Sequence, residues 1–284
     1  MGKMASNTEK RLIRVLDYIH SDPAGDLSLD RLADVAALSR FHFHRMYRRV
    51  TGETAVQAVR RIRLYRAAVA LAQGSDCLLQ IAASVGYPLA ASFSRVFSES
   101  YGQSPLAFRN QNKLRRNDLS QVQRTKTMYP IEIRNEPARR LAAIVHTGAY
   151  DKIGHAFEKL AATIGSRGLL PQTGKIIAVY YNDALISEAA LRSHASFEVG
   201  PATPVTAPLE EIMLPAGRYA VLRFKGPYPG LPAAFDHLVT AWLPISGEVV
   251  AKDFDHTPTF DIHLNSPLDT APEDLLTEIC LPLA

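Results

Sequence analysis

The 284 residues predict a multidomain protein, with an all-α domain of two helix-turn-helix units followed by an α+β domain duplicated about a pseudo-twofold axis. Three observations carry that expectation. Charge divides sharply near residue 127: the first part holds 20 Lys and Arg against 10 Asp and Glu and the second 12 against 18, or +10 and −6 of the net +4. A pattern of aromatic, Arg, apolar, aromatic and Gly recurs in the first part at an offset of 50. A different pattern, Gly-x-Tyr followed by an amphipathic run, recurs in the second part at an offset of 78. The expected organisation is a helical domain over 1–112, a linker over 113–128 and an α+β domain over 129–284.

These bulk properties also exclude classes. A basic half suits a polyanion and an acidic half does not, so contact with double-stranded DNA is expected of the first domain only. Cys77 and Cys280 stand one in each half, without the spacing of a metal site or a disulfide framework, which points to a reducing cytoplasm. No signal peptide and no apolar run of bilayer-spanning length is present, so no membrane role is expected.

The helical elements follow from periodicity and caps. Leu12, Val15, Leu16 and Ile19 form one stripe over 8–20. Ser28 is placed to cap a short helix bearing Leu29, Leu32, Ala33 and Ala36, and Ser39 a second helix with Phe43, Met46, Tyr47 and Val50 inward. Gly52 stops that helix and leaves Arg40, His44, Arg45, Arg48 and Arg49 outside. A long helix over 54–72 carries Arg60, Arg61, Arg63 and Arg66, for which phosphate contact and a solvated face are both open readings. In the second copy, Leu78, Ile81, Ala82 and Val85 precede the Gly86-Tyr87-Pro88 turn. Phe93, Val96 and Phe97 then bury a helix that ends at Gly102, and Ser104-Pro105 starts another. His42 and His44 diverge on their helix and do not form a metal pair.

In the second half, Gly148, Tyr150, Ile153, Ala156, Phe157 and Leu160 align with Gly226, Tyr228, Leu231, Ala234, Phe235 and Leu238. Each copy reads as a strand, a turn and a helix, led by strands at 141–145 and 219–224, with further strands at 176–181, 194–199, 209–214, 258–264 and 276–281. Such a sheet with helices on one face predicts a groove on the helix-free face. By strand alternation, Asp261 and His263 are expected to oppose Ile262 and Leu264, and Glu278 and Cys280 to oppose Ile279 and Leu281, lining that groove together. Asp261 is the foremost candidate, because an acid between Phe260 and Ile262 on a central strand needs a partner. Tyr150 and Tyr228 either pack the repeat or touch a ligand, Trp242 is either core or pocket wall, and His263 either faces solvent or binds.

The stretch Ile81-Ala82 to Gly86-Tyr87, then Phe93-Ser94-Arg95-Val96-Phe97, Tyr101-Gly102, Ser104-Pro105 and Phe108-Arg109 resembles the AraC/XylS family of transcription regulators over about residues 8–112. The resemblance implies base contacts from Arg40, Phe41, His44 and Arg45 in the first recognition helix and from Ala91, Ser92 and Arg95 in the second. Relatives often carry polar residues where Pro88-Leu89-Ala90-Ala91 stand. Residues 129–284 resemble the GyrI-like effector-binding domain of Rob-like regulators, through the Gly148-x-Tyr150 and Gly226-x-Tyr228 turns, Trp242-Leu243-Pro244, Pro258-Thr259-Phe260-Asp261, Leu264-Asn265-x-Pro267 and Thr277 to Leu283. Relatives commonly have Glu at Asp261 and Tyr at His263 and Cys280.

The two resemblances imply an effector-responsive regulator, an activator by family analogy, that is not an enzyme and needs no cofactor or metal. The charge of Asp261 suits a small-molecule effector of cationic or amphipathic character, and the departures at Asp261, His263 and Cys280 point to a ligand different from the aromatic, cationic compounds associated with some relatives. RNA polymerase is a partner by family analogy. The alternative is a C-terminal enzyme or sequestering protein, with Asp261, His263 and Glu278 as acid–base groups.

Overall fold

The computed structural model describes residues 7–74, 76–121, 129–181, 187–251, 253 and 256–284. Its first part is helical: α1 (Asn7–Ser21), α2 (Leu29–Val35), α3 (Arg40–Thr51), α4 (Ala55–Gln73), α5 (Leu78–Ser84), α6 (Ala90–Tyr101) and α7 (Pro105–Gln121). Ser28 accepts from the Arg31 amide at the start of α2, and Thr54 forms a reciprocal box with Gln57 at the start of α4. Gly52 and Gly102 end α3 and α6 in the left-handed region. Ser39 stands at the N-cap of α3 without a side-chain hydrogen bond.

Two separate apolar cores form. One gathers Leu12, Leu16, Leu32, Phe43 and Tyr47, and the other Ile81, Phe93, Phe97, Tyr101 and Phe108. They share α4, which gives Ala55, Ala58, Val59 and Ile62 to the first and Leu64, Ala67, Ala68 and Leu71 to the second. At 1.5 Å per residue, its 19 residues span about 28 Å.

The predicted linker is partly helical. α7 continues to Gln121, started by the Ser104 cap and Pro105 and anchored by Phe108, which is buried in the second core. Residues 122–128 lie outside the described residues.

The remainder supplies β1 (Ile131–Glu136), β2 (Arg139–Thr147), α8 (Gly154–Ser166), β3 (Thr173–Tyr181), β4 (Arg192–Val199), β5 (Glu210–Leu214), β6 (Gly217–Lys225), α9 (Leu231–His237), a π-helical turn over Leu238–Trp242, α10 (Leu243–Ser246), β7 (Thr259–His263) and β8 (Leu276–Pro282). All the strands join one antiparallel sheet in the order β1-β6-β8-β7-β3-β4-β2-β5. A pseudo-twofold axis passes between β7 and β3. It exchanges β2 with β6, β4 with β8, and the outer strands β1 and β5 with one another.

Compact packing divides the chain differently from sequence. Gly154–Gln172, which contains α8, and Thr206–Pro208 group with the helical unit, while Asn110–Ile153, Thr173–Val205 and Leu209–Ala284 form the sheet unit. Ala162 of α8 is buried in the first core, and ion pairs join the helix to its neighbours. Arg167 is bidentate on the buried Glu9 at 2.9 Å for both bonds, and Glu158 takes Arg61 and His20 at 2.9 Å each. In the helical unit the α4 arginines are therefore held by the protein itself, with Arg60 on Glu99, Arg61 on Glu53 and Glu158, and Arg66 on the His20 carbonyl.

In the sheet unit, both faces are packed. On one, Ala220, Leu222, Phe224, Ile279 and Leu281 lie against Ala234 and Leu238 of the α9 segment. On the other, Leu141, Ile177, Val179, Leu214, Tyr219, Val221, Phe260, Ile262 and Cys280 form a second core without a helix. Leu141 and Leu214 belong to one end of the strand order and Tyr219 and Val221 to the other, so the sheet curls until its helix-free face closes on itself. The open groove expected on that face is absent among the described residues.

Candidate DNA interface and candidate effector site

In α3, Phe43, Met46, Tyr47 and Val50 are buried, so helical geometry turns Arg40, Phe41, Arg45, Arg48 and Arg49 outward, and His44 is half-buried. Phe41 is 79% exposed, which is unusual for a large aromatic ring without a partner surface. In α6, Phe93 and Phe97 are buried, Ala91 and Arg95 are exposed, and Ser92 is half-buried. The two outer faces differ in chemistry. The first is a dense cationic strip with one aromatic ring, whereas the second combines Arg95 with alanine and serine, and the exposed Leu89 just precedes it.

The sheet unit has its own focus. Directly paired residues of an antiparallel ladder share a face, and β7 pairs Asp261 with Ile279 of β8 and with Ala178 of β3. Asp261 therefore lies on the face of Ile279, which also carries α9, with Ala178 and then Ala195 beside it as a floor of small side chains. Tyr180 Oη donates to Asp261 Oδ2 at 3.0 Å. The carboxyl is 5% exposed, and burial pushes its pKa up to about 7 against the lowering effect of that hydrogen bond.

Two aromatic contacts flank this acid symmetrically. The β3–β7 register pairs Tyr180 with Thr259 and Ile176 with His263, so the axis through the Ala178–Asp261 pair exchanges Tyr180 with His263. Tyr150 meets Tyr180 with ring centroids 5.0 Å apart, and Tyr228 meets His263 at 5.0 Å. Both turn tyrosines follow a glycine at positive φ, Gly148 at 111° and Gly226 at 140°, whose amides donate to the carbonyls of Leu191 and Leu275. Tyr150 Oη also donates to the Tyr181 carbonyl at 3.2 Å. All four rings are half-buried. Part of His263 remains exposed, although its Nδ1 is shut off from solvent, and burial lowers its pKa to about 4.

A model of the GyrI-like small molecule binding domain matches residues 129–284, more than half of the chain, and a helix-turn-helix domain model matches residues 32–111. The chain is an AraC-type helix-turn-helix protein with a GyrI-like domain. It is 33% identical over 87 residues to the transcriptional regulator Rob of Salmonella typhimurium, covering 31% of this chain and 30% of that protein. It is 31% identical over 100 residues to the bifunctional transcriptional activator/DNA repair enzyme AdaA of Bacillus subtilis, covering 35% of this chain and 47% of that protein. The chain thus matches less than half the length of these curated relatives. Among solved structures, the EcmrR C-terminal domain aligns at 16% identity with a TM-score of 0.44, covering 56% of this chain and 99% of that one.

The GyrI-like domain brings together some of the effector residues expected from sequence and separates others. Asp261, His263, Tyr150 and Tyr228 converge, but on the helix-bearing face rather than the helix-free one. Glu278 and Cys280 lie opposite them with Phe260 and Ile262, because the register sets Glu278 across from Ile262 and Cys280 across from Phe260. Alternation assigns the two faces of each strand, but the relative phase of β7 and β8 is fixed only by their pairing. Glu278 is held by Arg134 at 2.5 Å and Arg223 at 2.8 Å, and these bonds outweigh burial and keep its pKa below the usual carboxylate range. Cys280 is fully buried, which raises its thiol pKa. Phe260 packs edge-on to Tyr219 at 5.1 Å. Trp242 is half-buried against the core under α9. Sequence reasoning missed Tyr180, whose signal is its strand position two residues beyond Ala178, matching His263 two beyond Asp261. Among the described residues no cluster suits a metal ion, and no helix is long and apolar enough to cross a membrane.

Proposed function

We propose that this protein is a sequence-specific, DNA-binding transcription regulator whose GyrI-like domain takes a small cationic or amphipathic effector at Asp261. One observation carries the effector reading: a buried carboxyl lies at the symmetry centre of the sheet, over a floor of two alanines, with Tyr150, Tyr180, Tyr228 and His263 around it. Aromatic rings around an acid suit a delocalised or quaternary cation, which each ring face attracts and the carboxylate neutralises. Arg40, Phe41, His44, Arg45, Arg48 and Arg49 on α3 and Ala91, Ser92 and Arg95 on α6 are the proposed DNA-contacting residues, and their outward placement favours two major-groove contacts by one chain. Activation through RNA polymerase, in the cytoplasm, completes the proposal by family analogy.

A non-catalytic role is favoured over acid–base chemistry, because Glu278 lies across the sheet from Asp261 and is already neutralised by two arginines. Calorimetric titration of the full chain with an aromatic quaternary cation and its uncharged isostere tests the effector reading. Asp261→Asn is expected to weaken the cation by about 1–3 kcal/mol and the isostere by much less. Equal affinity of wild type and variant for the cation would remove Asp261 from the site.

A further inference from the structure

Arg63 sits near the middle of α4, where the helix passes from the first core to the second. Its Nε donates to the Pro23 carbonyl at 2.7 Å and its Nη2 to the Gly25 carbonyl at 3.2 Å. Those residues belong to the segment that delivers Leu27 to the first core and Ser28 to the cap of α2. The same guanidinium lies against the turn of the second helix-turn-helix unit. A β-carbon at Gly86 would stand 2.7 Å from Nη2, 2.8 Å from Cζ and 3.1 Å from Nε. Gly86 adopts a φ of 78°, and the neighbouring Tyr87 amide closes that turn onto the Ala82 carbonyl. One planar group thus joins the entry of the first unit to the turn of the second. The contact around it is not closed, since Arg63 itself, with Leu27, Val59, Tyr87 and Val96, lines an open cleft of about 520 Å³.

We infer that Arg63 is a positioning residue that sets the distance and rotation between α3 and α6, and with them the spacing of the two DNA half-sites read by one chain. This rests on the reading of both helices as DNA contacts. One base pair more or less between half-sites moves the second groove by about 3.4 Å and turns it by roughly 35° around the duplex. A rigid pair of helices admits one spacing. A pair joined through α4 alone swings with the bending of that helix and admits several.

The test selects from duplex pools in which the spacing between two half-sites is varied one base pair at a time, using the full chain as wild type, Arg63→Met, Arg63→Lys and Gly86→Ala. Wild type is expected to prefer one spacing. Arg63→Met should lower that preference over adjacent spacings about tenfold while leaving base preference within each half-site unchanged. Arg63→Lys keeps a donor without the planar fork and should recover part of the discrimination. Gly86→Ala, which pushes the guanidinium from its seat, should broaden the spacing as Arg63→Met does. Should Arg63→Met fail to fold by circular dichroism, the other two variants carry the test. An unchanged spacing profile in folded variants, or an equal loss of affinity at every spacing, overturns the inference. A wild type that selects only one half-site overturns the two-helix reading itself.

Discussion

Both halves of the chain are duplications, but their copies are joined in opposite ways. The helical copies stay side by side, each with its own core, and share only α4. The sheet copies exchange their first strands, so that β1 pairs with β6 and β5 with β2, and each crosses over at the same dipeptide, Pro137-Ala138 or Pro215-Ala216. Separate cores leave each copy free to change its surface, and α3 and α6 indeed carry unlike outer faces over like interiors. Exchanged strands leave no such freedom, and the two sheet copies converge on one acid.

The largest expected effects come from the cores. Phe97→Ala and Phe260→Ala should each cost roughly 3–5 kcal/mol, the range for deleting a buried aromatic ring. Hydrogen exchange should then loosen α5, α6, the start of α7 and the second half of α4, but not α2 and α3, in the first variant, and strands of both sheet copies together in the second. Equal loosening of α3 and α6 in Phe97→Ala would make the helical copies one cooperative unit and end the contrast.

The shared acid comes next. Its pKa rises from 3.8 to about 7 on folding, so the folded state holds a proton that the unfolded chain has released. That stabilising contribution is complete below pH 3.8 and is lost as pH climbs to 7, by about 4 kcal/mol from three units at 1.36 kcal/mol each. Denaturant melts of Asp261→Asn should lack this part of the pH dependence and exceed wild type in stability at pH 8. A variant with the same pH profile as wild type would place the titration elsewhere.

Smaller effects distinguish α3 and α6, the two helices proposed to read DNA. Arg45→Ala and Arg95→Ala should each relax base preference at a different half-site by about 1–3 kcal/mol if the contact is bidentate. The richer cationic strip of α3 should also carry more of the salt dependence. Uniform weakening over all sequences in both variants would assign phosphate anchoring to the two arginines. Smallest is Tyr180→Phe, which removes one hydrogen bond to Asp261 and should raise the carboxyl's pKa further, at a cost of about 1 kcal/mol above neutral pH. His263→Phe, at the symmetry-related position, should leave that pKa nearly unmoved.

Much of this architecture was legible in the residues. Periodicity located the helices, and the offset of 78 located the Gly148 and Gly226 turns, since glycine at positive φ and a tyrosine two residues on are local requirements. The phase of β7 against β8 was not legible. Each strand announces its alternation, but which face of Glu278 matches which face of Asp261 is decided by the ladder between them. The strand exchange was hidden for the same reason, as β1 has no sequence feature that names β6 as its partner. The placement of α8 among the helices rests on Ala162 in the first core and on the pairs Arg167–Glu9, Arg61–Glu158 and His20–Glu158, residues far apart in sequence whose complementarity appears only in space.

The strand exchange also orders events during synthesis. Once Pro208 has been made, every residue of the helical unit exists, and its contacts can form without waiting for anything later. The sheet at that moment has β1 with no β6 to pair with, β3 with an open edge where β7 belongs, and no Asp261. Long-range strand pairing is slow compared with helix packing, which widens the interval. On the proposed reading, a nascent chain therefore presents the helices assigned to DNA before it holds the site assigned to the effector, which is complete only when β8 slots between β6 and β7.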